Sequence, residues 1–368
     1  MRGRTAEVPR SAQFPLIQAL RGFAALWVVF FHIDKTQYIT GLTDRLAVQF
    51  HNALFGYGSA GVAIFFVLSG FVISHSLAGK SFGSSDFVRF VARRSIRLDP
   101  PYWAAIILSI AVTAALAGVR QDEIVVPSIS TMVAHLFYAQ EFVGTPEINI
   151  VFWTLTFEVQ FYVVLALATC LQTWLVVAEY NPRFARAVVM TPMTVLAVLA
   201  AANIIGWAPR GLFVTMWHGF FLGILAYEAG HLRKSAALLL FVALVTLIGA
   251  VGQESVFGTP AALTALGLFV AGRTGYLERG FSARGFQMLG MISYSLYLIH
   301  VPMIRVGFAL WGHFAGRGTL QDSLGLVLIL ASILAVSTIF WWLFERPSHS
   351  FAVKFLRRRD AELISAAQ

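Results

Sequence analysis

Ten stretches of roughly twenty mostly apolar residues recur along this chain, each long enough to cross the hydrocarbon core of a bilayer. They fall at about residues 15–33, 60–77, 101–118, 152–177, 187–206, 210–229, 234–252, 258–273, 286–310 and 321–344. Backbone groups in lipid must be satisfied within the chain, so runs of this length are read as helices. Of the 368 residues 58% are hydrophobic and only 12% charged, too few charges to cover a soluble core. The expected fold is an all-α, polytopic integral membrane bundle of about ten transmembrane helices with both termini cytoplasmic. It is read as one domain over 1–368, with spans over 15–344, a basic cytoplasmic tail over 345–368 and no fused soluble domain.

The charges decide the count of spans. Residues 128–144 are a weaker apolar stretch, but Ser128, Ser130, His135, Gln140 and Glu141 make it interfacial or re-entrant. The 27 Lys and Arg exceed the 18 Asp and Glu, for a net charge of +9. Such an excess suits either a nucleic-acid binder or basic cytoplasmic loops. With ten spans and an inner N-terminus, twenty of the 27 fall on inner segments. Only Lys35, Arg45, Arg120, Arg210 and Arg317 fall outside, with Arg21 and Arg305 inside helices. That is the positive-inside pattern, and an eleventh span would invert everything after residue 144. The basic excess is therefore topology: the expected surroundings are membrane lipid, not nucleic acid. The basic N-terminus resembles a secretory signal, but Arg21 interrupts the run and no small-residue cleavage site follows, so the first helix is read as uncleaved.

Several chemistries lack their residues. A lone Cys170 permits neither an intramolecular disulfide nor a cysteine cluster. There is no HExxH, no metal-spaced histidine cluster and no GxSxG elbow, so no metal is expected. Gly58, Gly61 and Gly70 lack phosphate-loop spacing and are read as points of close helix approach.

Ionisable groups within spans are costly, so each needs a reason. Arg21 and His32 lie eleven residues apart in the first helix, which is three turns plus about 20° and about 16 Å of rise. They face one side at different depths. Arg93, Arg94 and Arg97 crowd the stretch "FVRFVARRSIRLDPPYW", where Pro100 and Pro101 are read as ending a turn before the third span. These arginines either anchor lipid phosphates or hold a phosphorylated cytoplasmic cosubstrate. Glu158 sits about two turns into the fourth span from the outside, where His32 or a wet cavity would relieve it. Ser293, Tyr297 and His300 recur at i, i+4 and i+7, a polar stripe that is either a site or interhelical glue. His218 is assigned no role.

In chain order, "QALRGFAALWVVFFH", "GVAIFFVLSGFVIS", "RRSIRLDPPYW", "WTLTFEVQFY", "ISYSLYLIHVP" and "FERP" resemble the acyltransferase-3 family of bacterial membrane O-acyltransferases. Members of that family O-acetylate exopolysaccharide, lipopolysaccharide O-antigen and nodulation factors. The resemblance implies an enzyme of the bacterial inner membrane, as monomer or homo-oligomer, with acyl-CoA (acetyl-CoA first) as cosubstrate and no bound cofactor. The acceptor it implies is a hydroxyl of an extracytoplasmic or lipid-linked carbohydrate. It makes His32 the essential histidine, Arg21 the essential arginine and Arg94-x-x-Arg97 the acyl-CoA element. Glu158, Ser293 and His300 match further polar family positions. Gln18 departs from the pattern, since many members are acidic there. The expected mechanism has Arg93, Arg94 and Arg97 on the CoA phosphates and His32 as base oriented by Glu158. Arg21 or a serine then stabilises the oxyanion. A proton-coupled exporter is the alternative reading of ten helices with buried charges, against which the absence of an internal repeat counts.

Overall fold

The computed structural model describes residues 14–79, 82–252, 255–316 and 318–354, and among them every regular element is helical. Arg2, Arg4, Arg10, Lys80, Arg317 and the tail from residue 355, with Arg357, Arg358 and Arg359, lie outside that set. The principal helices coincide with the ten apolar runs: α1 (Pro15–Lys35), α2 (Gly61–Leu77), α3 (Ser84–Arg120), α4 (Trp153–Val177), α5 (Pro182–Ala201), α6 (Trp217–Gly230), α7 (Ala236–Gly252), α8 (Gly258–Thr274), α9 (Ser293–Phe314) and α10 (Thr319–Phe340). Seven helical stretches are long and apolar enough to cross a membrane, while α6, α7 and α8 are shorter than that. The chain is an all-α membrane bundle.

Contacts at the helix ends show successive helices running up and down. Leu16 N at the start of α1 donates to Leu277 O just after α8 at 3.3 Å. Phe14 packs its ring on His75 near the end of α2 and on His231 just past α6. Phe82 N, ahead of α3, donates to Thr173 Oγ1 near the end of α4 at 3.3 Å. Arg186 at the start of α5 pairs with Glu228 at the end of α6, and that carboxylate also accepts from Ser235 ahead of α7. Glu345, past α10, accepts from Ser295 at the start of α9. These ends make one face of the bundle, and Arg89, Arg183, Arg186, Arg233, Arg273, Arg279, Arg284 and Arg346 lie at or beside them. We call it the basic end.

Every residue of α6 is buried, as a helix apolar on all sides requires. It crosses α2 through two glycines: a Cβ on Gly70 would fall on the Phe220 carbonyl oxygen, and one on Gly223 on that of Val67. Gly58 and Gly61 likewise press on the carbonyls of Trp27 and Ala24 in α1. All three glycines singled out by spacing are close-approach points. Gly70→Ala is therefore expected to force the helices apart and cost about 1–3 kcal/mol or more. Gly267→Ala on α8, where a Cβ meets nothing within 4 Å, is expected to be neutral or to stabilise by roughly 0.5–1 kcal/mol. Thermal unfolding of the detergent-solubilised protein separates the two.

Three expectations change in detail. The third span is not preceded by a turn: α3 starts at Ser84, where Asp86 Oδ2 accepts the Gly83 N–H at 3.0 Å, and runs unbroken through Pro100 and Pro101. Proline is tolerated inside membrane helices; the carbonyls left without an N–H donor are those of Ile96 and Arg97, and Tyr294 Oη of α9 donates to the adjoining Leu98 O at 3.0 Å, tying α9 to this stretch. The ninth run breaks at Ile292 into a short helix, Arg284–Met291, and α9. Its cause is close packing, for Gly290 lies on the backbone of Gln18. Residues 128–144 form two short helices, Ile129–Leu136 and Gln140–Val143, instead of a span. Between them Tyr138 donates to Asp99 Oδ1 of α3 at 2.9 Å and stacks on Tyr102.

Candidate active site

The shared face of Arg21 and His32 looks into the bundle, and the two residues serve different layers of it. His32 meets His300 of α9. Its Nδ1 lies 2.9 Å from Val28 O and 3.2 Å from His300 Nε2. His300 Nδ1 in turn lies 3.1 Å from Leu296 O and 2.8 Å from Tyr297 O. Carbonyl oxygens only accept, so both Nδ1 atoms carry the protons and His300 Nε2 accepts from His32. The network thereby places the free lone pair of His32 on Nε2, which has no hydrogen-bond partner among the described residues. Pro302 helps to build this corner. It lacks an N–H for Leu298 O, and Asn149 Nδ2 donates to that carbonyl instead at 3.2 Å, pinning the loop before α4 beside the histidines.

Nearer the basic end a cavity opens between α1, α2, α3, α4 and α9. Arg21, Arg94 and Arg97 line it together, with Glu158, Tyr162 and Ser293. None of the three guanidinium groups has a hydrogen-bond partner among the described residues, although each carries five donors. Arg94 instead lies over the rings of Tyr162 and Phe90, at 4.8 and 5.5 Å. Glu158 Oε1 accepts from Ser69 Oγ at 2.7 Å and from the Tyr162 hydroxyl. That carboxylate thus holds the ring on which Arg94 rests. Its place in the guanidinium layer corrects the expectation that Glu158 orients His32: the two hydrogen bonds of His32 go to Val28 and His300. The reading that placed it toward the outer face with His32 fails because the layer that a residue of α4 faces is set by how the helices pack.

Arg93 is also corrected. It is exposed and does not line the cavity, because one residue's step rotates it about 100° from Arg94. Ser293 and Tyr297 both line the cavity, and His300 follows one turn beyond Tyr297, so the polar stripe runs from the guanidinium layer to the histidine pair. His218 is buried on α6 against Phe257, outside this set. Among the described residues no cluster of three or more His, Cys, Asp or Glu is placed to hold a metal ion.

One residue of the site carried only a motif in the sequence. Glu345 of "FERP" sits in a π-helical turn, Trp341–Glu345, and is buried. Its Oε2 accepts from Ser295 N at 3.2 Å and Ser295 Oγ at 2.7 Å, at the positive end of the α9 dipole. It lies within electrostatic reach of Arg97 and Arg21. Two carboxylates against three guanidinium groups leave the layer net positive, with donors in excess. Such a layer suits a multiply charged anion with planar oxygens.

Residues 15–346 match the model of an acyltransferase domain family. Across 95% of its length the chain is 27% identical to Acyltransferase MdmB of Streptomyces mycarofaciens, covering 94% of that protein. Across 85% of its length it is 30% identical to Exopolysaccharide production protein ExoZ of Rhizobium meliloti, again covering 94%. No solved structure matches.

Proposed function

This chain belongs to the acyltransferase-3 family and is a membrane acyltransferase, and from that premise we propose that it carries an acyl group, acetyl first, from cytoplasmic acyl-CoA to a carbohydrate hydroxyl. The basic end is cytoplasmic in this reading, by the positive-inside rule, and the membrane is the bacterial inner membrane. One observation carries the proposal: a cavity with guanidinium groups that make no hydrogen bond among the described residues extends to Tyr297, whose ring lies 5.9 Å from that of His300, the partner of a histidine whose Nε2 is free of protein hydrogen bonds among them. Arg21, Arg94 and Arg97 receive the CoA diphosphate, with Arg94 held by Tyr162 and Glu158.

The dimensions support the assignment. About 13 bonds separate the nearer diphosphate phosphorus of CoA from its sulfur, or roughly 14–16 Å at the extension of a peptide backbone. Arg21 and His32 are separated by about 16 Å of helix rise. A donor anchored by its phosphates in the guanidinium layer therefore brings its thioester to the histidine pair. There His32 Nε2 takes the proton of the acceptor hydroxyl, the hydroxyl oxygen bonds to the acyl carbon, and the departing thiolate takes the proton back. The rhizobial relative, an exopolysaccharide production protein by name, supports a polysaccharide or lipid-linked glycan as acceptor.

Purified protein in nanodiscs, given acetyl-CoA and chemically de-O-acylated cell-surface glycan, is expected to release free thiol and add an acetyl mass to the glycan. A thiol reagent and mass spectrometry read the two. A protein that moves glycan across vesicle membranes with neither change is a transporter, and the proposal falls.

A further inference from the structure

Acyl transfer needs a second group besides the base, because negative charge collects on the thioester oxygen as the acceptor attacks. The two candidates read from sequence for that charge are badly placed. Arg21 lies about 16 Å of rise from His32, and Ser293 shares its layer and already donates to Gly290 O at 2.7 Å. The other lining hydroxyls of that region are committed as well: Ser69 and Tyr162 to Glu158, and Tyr294 to Leu98 O.

Where the cavity approaches the histidines, two hydroxyls face each other. Tyr297 Oη and Thr154 Oγ1 are 2.8 Å apart, and the same Val151 carbonyl lies 3.0 Å from Thr154 and 3.3 Å from Tyr297. Thr154 donates to Val151 O, and the Tyr297 proton goes to Thr154. Exchanging the two bonds gives an equivalent arrangement, so neither hydroxyl proton is tied to a single acceptor. Both hydroxyls are buried on the cavity wall. The Tyr297 ring centroid is 5.9 Å from that of His300, whose Nε2 contacts His32, and 5.6 Å from that of Phe65. Its hydroxyl is thus held at the junction between donor cavity and base while its proton remains transferable to a better acceptor.

Resting on the acyltransfer reading above, we propose that Tyr297 is a catalytic residue that donates its hydroxyl hydrogen bond to the thioester oxygen. As the acceptor oxygen bonds to the acyl carbon and its proton passes to His32 Nε2, the carbonyl electron pair moves onto oxygen. Tyr297 then turns its O–H from Thr154 to that oxygen, and Thr154 keeps Val151 O. A charge-assisted bond, about twice as strong as a neutral one, replaces the bond given up. Collapse restores the carbonyl and expels the thiolate, which takes the proton from His32, and Tyr297 returns to Thr154.

Tyr297→Phe keeps the ring against Phe65 and His300 and removes only the donor. It is expected to lower kcat by about 10²–10³-fold, as loss of one oxyanion donor does, with KM for acetyl-CoA within about twofold. A wild-type protein that releases no thiol from acetyl-CoA defeats the acyltransfer reading itself. If the wild type is active and Tyr297→Phe keeps kcat within about threefold, only the tyrosine assignment falls. Should the Phe variant not fold, replacement of Tyr297 by difluorotyrosine strengthens the donor and is expected to change kcat several-fold at constant KM. An unchanged kcat there overturns the proposal.

Discussion

Replacing His32 with alanine is expected to reduce acyl transfer by at least about 10²–10⁴-fold, the usual contribution of a positioned general base. Binding of acetyl-CoA should stay within about twofold, because His32 does not line the guanidinium layer. The size of the effect follows from the hydrogen-bond network. Val28 O and His300 Nε2 both take the Nδ1 proton, so the imidazole presents Nε2 in its basic form before any substrate arrives. His32→Gln, which keeps polarity without basicity, should be as inactive as alanine. The checks are initial rates of thiol release and equilibrium binding of CoA on the same preparations.

The second large effect belongs to the guanidinium layer. Arg94→Ala and Arg97→Ala are each expected to weaken acetyl-CoA binding by roughly 10–100-fold, since a hydrogen bond to a charged group contributes about 1.5–3 kcal/mol. Rates at saturating donor should be changed far less, since neither residue reaches the thioester. Arg94→Lys should recover only part of the affinity, because an ammonium keeps the charge and loses the planar fork that matches a diphosphate. Arg93→Ala is the internal control. That side chain is exposed and off the cavity, and its removal should leave affinity within about twofold. Titrations at two salt concentrations add a further check, as the affinity of the wild type should fall more steeply with ionic strength than that of either cavity variant.

Much of the site was legible before the fold was known because its residues are costly. Arg21, His32, Glu158 and the Arg94/Arg97 pair stand out in apolar or interfacial helix, and their helical spacing gives depth and relative azimuth along one helix. Partnership between helices was not legible. Glu158 and His32 share only the property of lying in the half of a span read as outer, and the carboxylate goes instead to Ser69 of the neighbouring α2 and to Tyr162 one turn along α4. His300 showed itself only as one member of a stripe, with nothing to say that its Nε2 would meet His32. Glu345 escaped assignment because it stood only in a motif just past the last apolar run, with nothing to say that it would meet Ser295 at the start of α9. Pro100 and Pro101 misled in the opposite direction. In water two prolines end a helix, whereas in this bundle α3 continues through them.

Geometry also changes what the net charge of +9 means. Among the described residues most basic side chains mark one end of the bundle, where Arg186 pairs with Glu228. Arg21, Arg94 and Arg97 are different, being aimed inward with no protein group among the described residues to receive their hydrogen bonds. Their layer and the histidine layer lie at different depths of one bundle, so donor phosphates and acceptor hydroxyl need never share a compartment.

Transfer between compartments is the most direct test of that arrangement. Proteoliposomes selected for the orientation with the basic end outward are loaded with de-O-acylated glycan and given radiolabelled acetyl-CoA outside. The account predicts label on the enclosed glycan with the wild type and none with His32→Ala. Label that reaches glycan only when donor and acceptor are on the same side would contradict it.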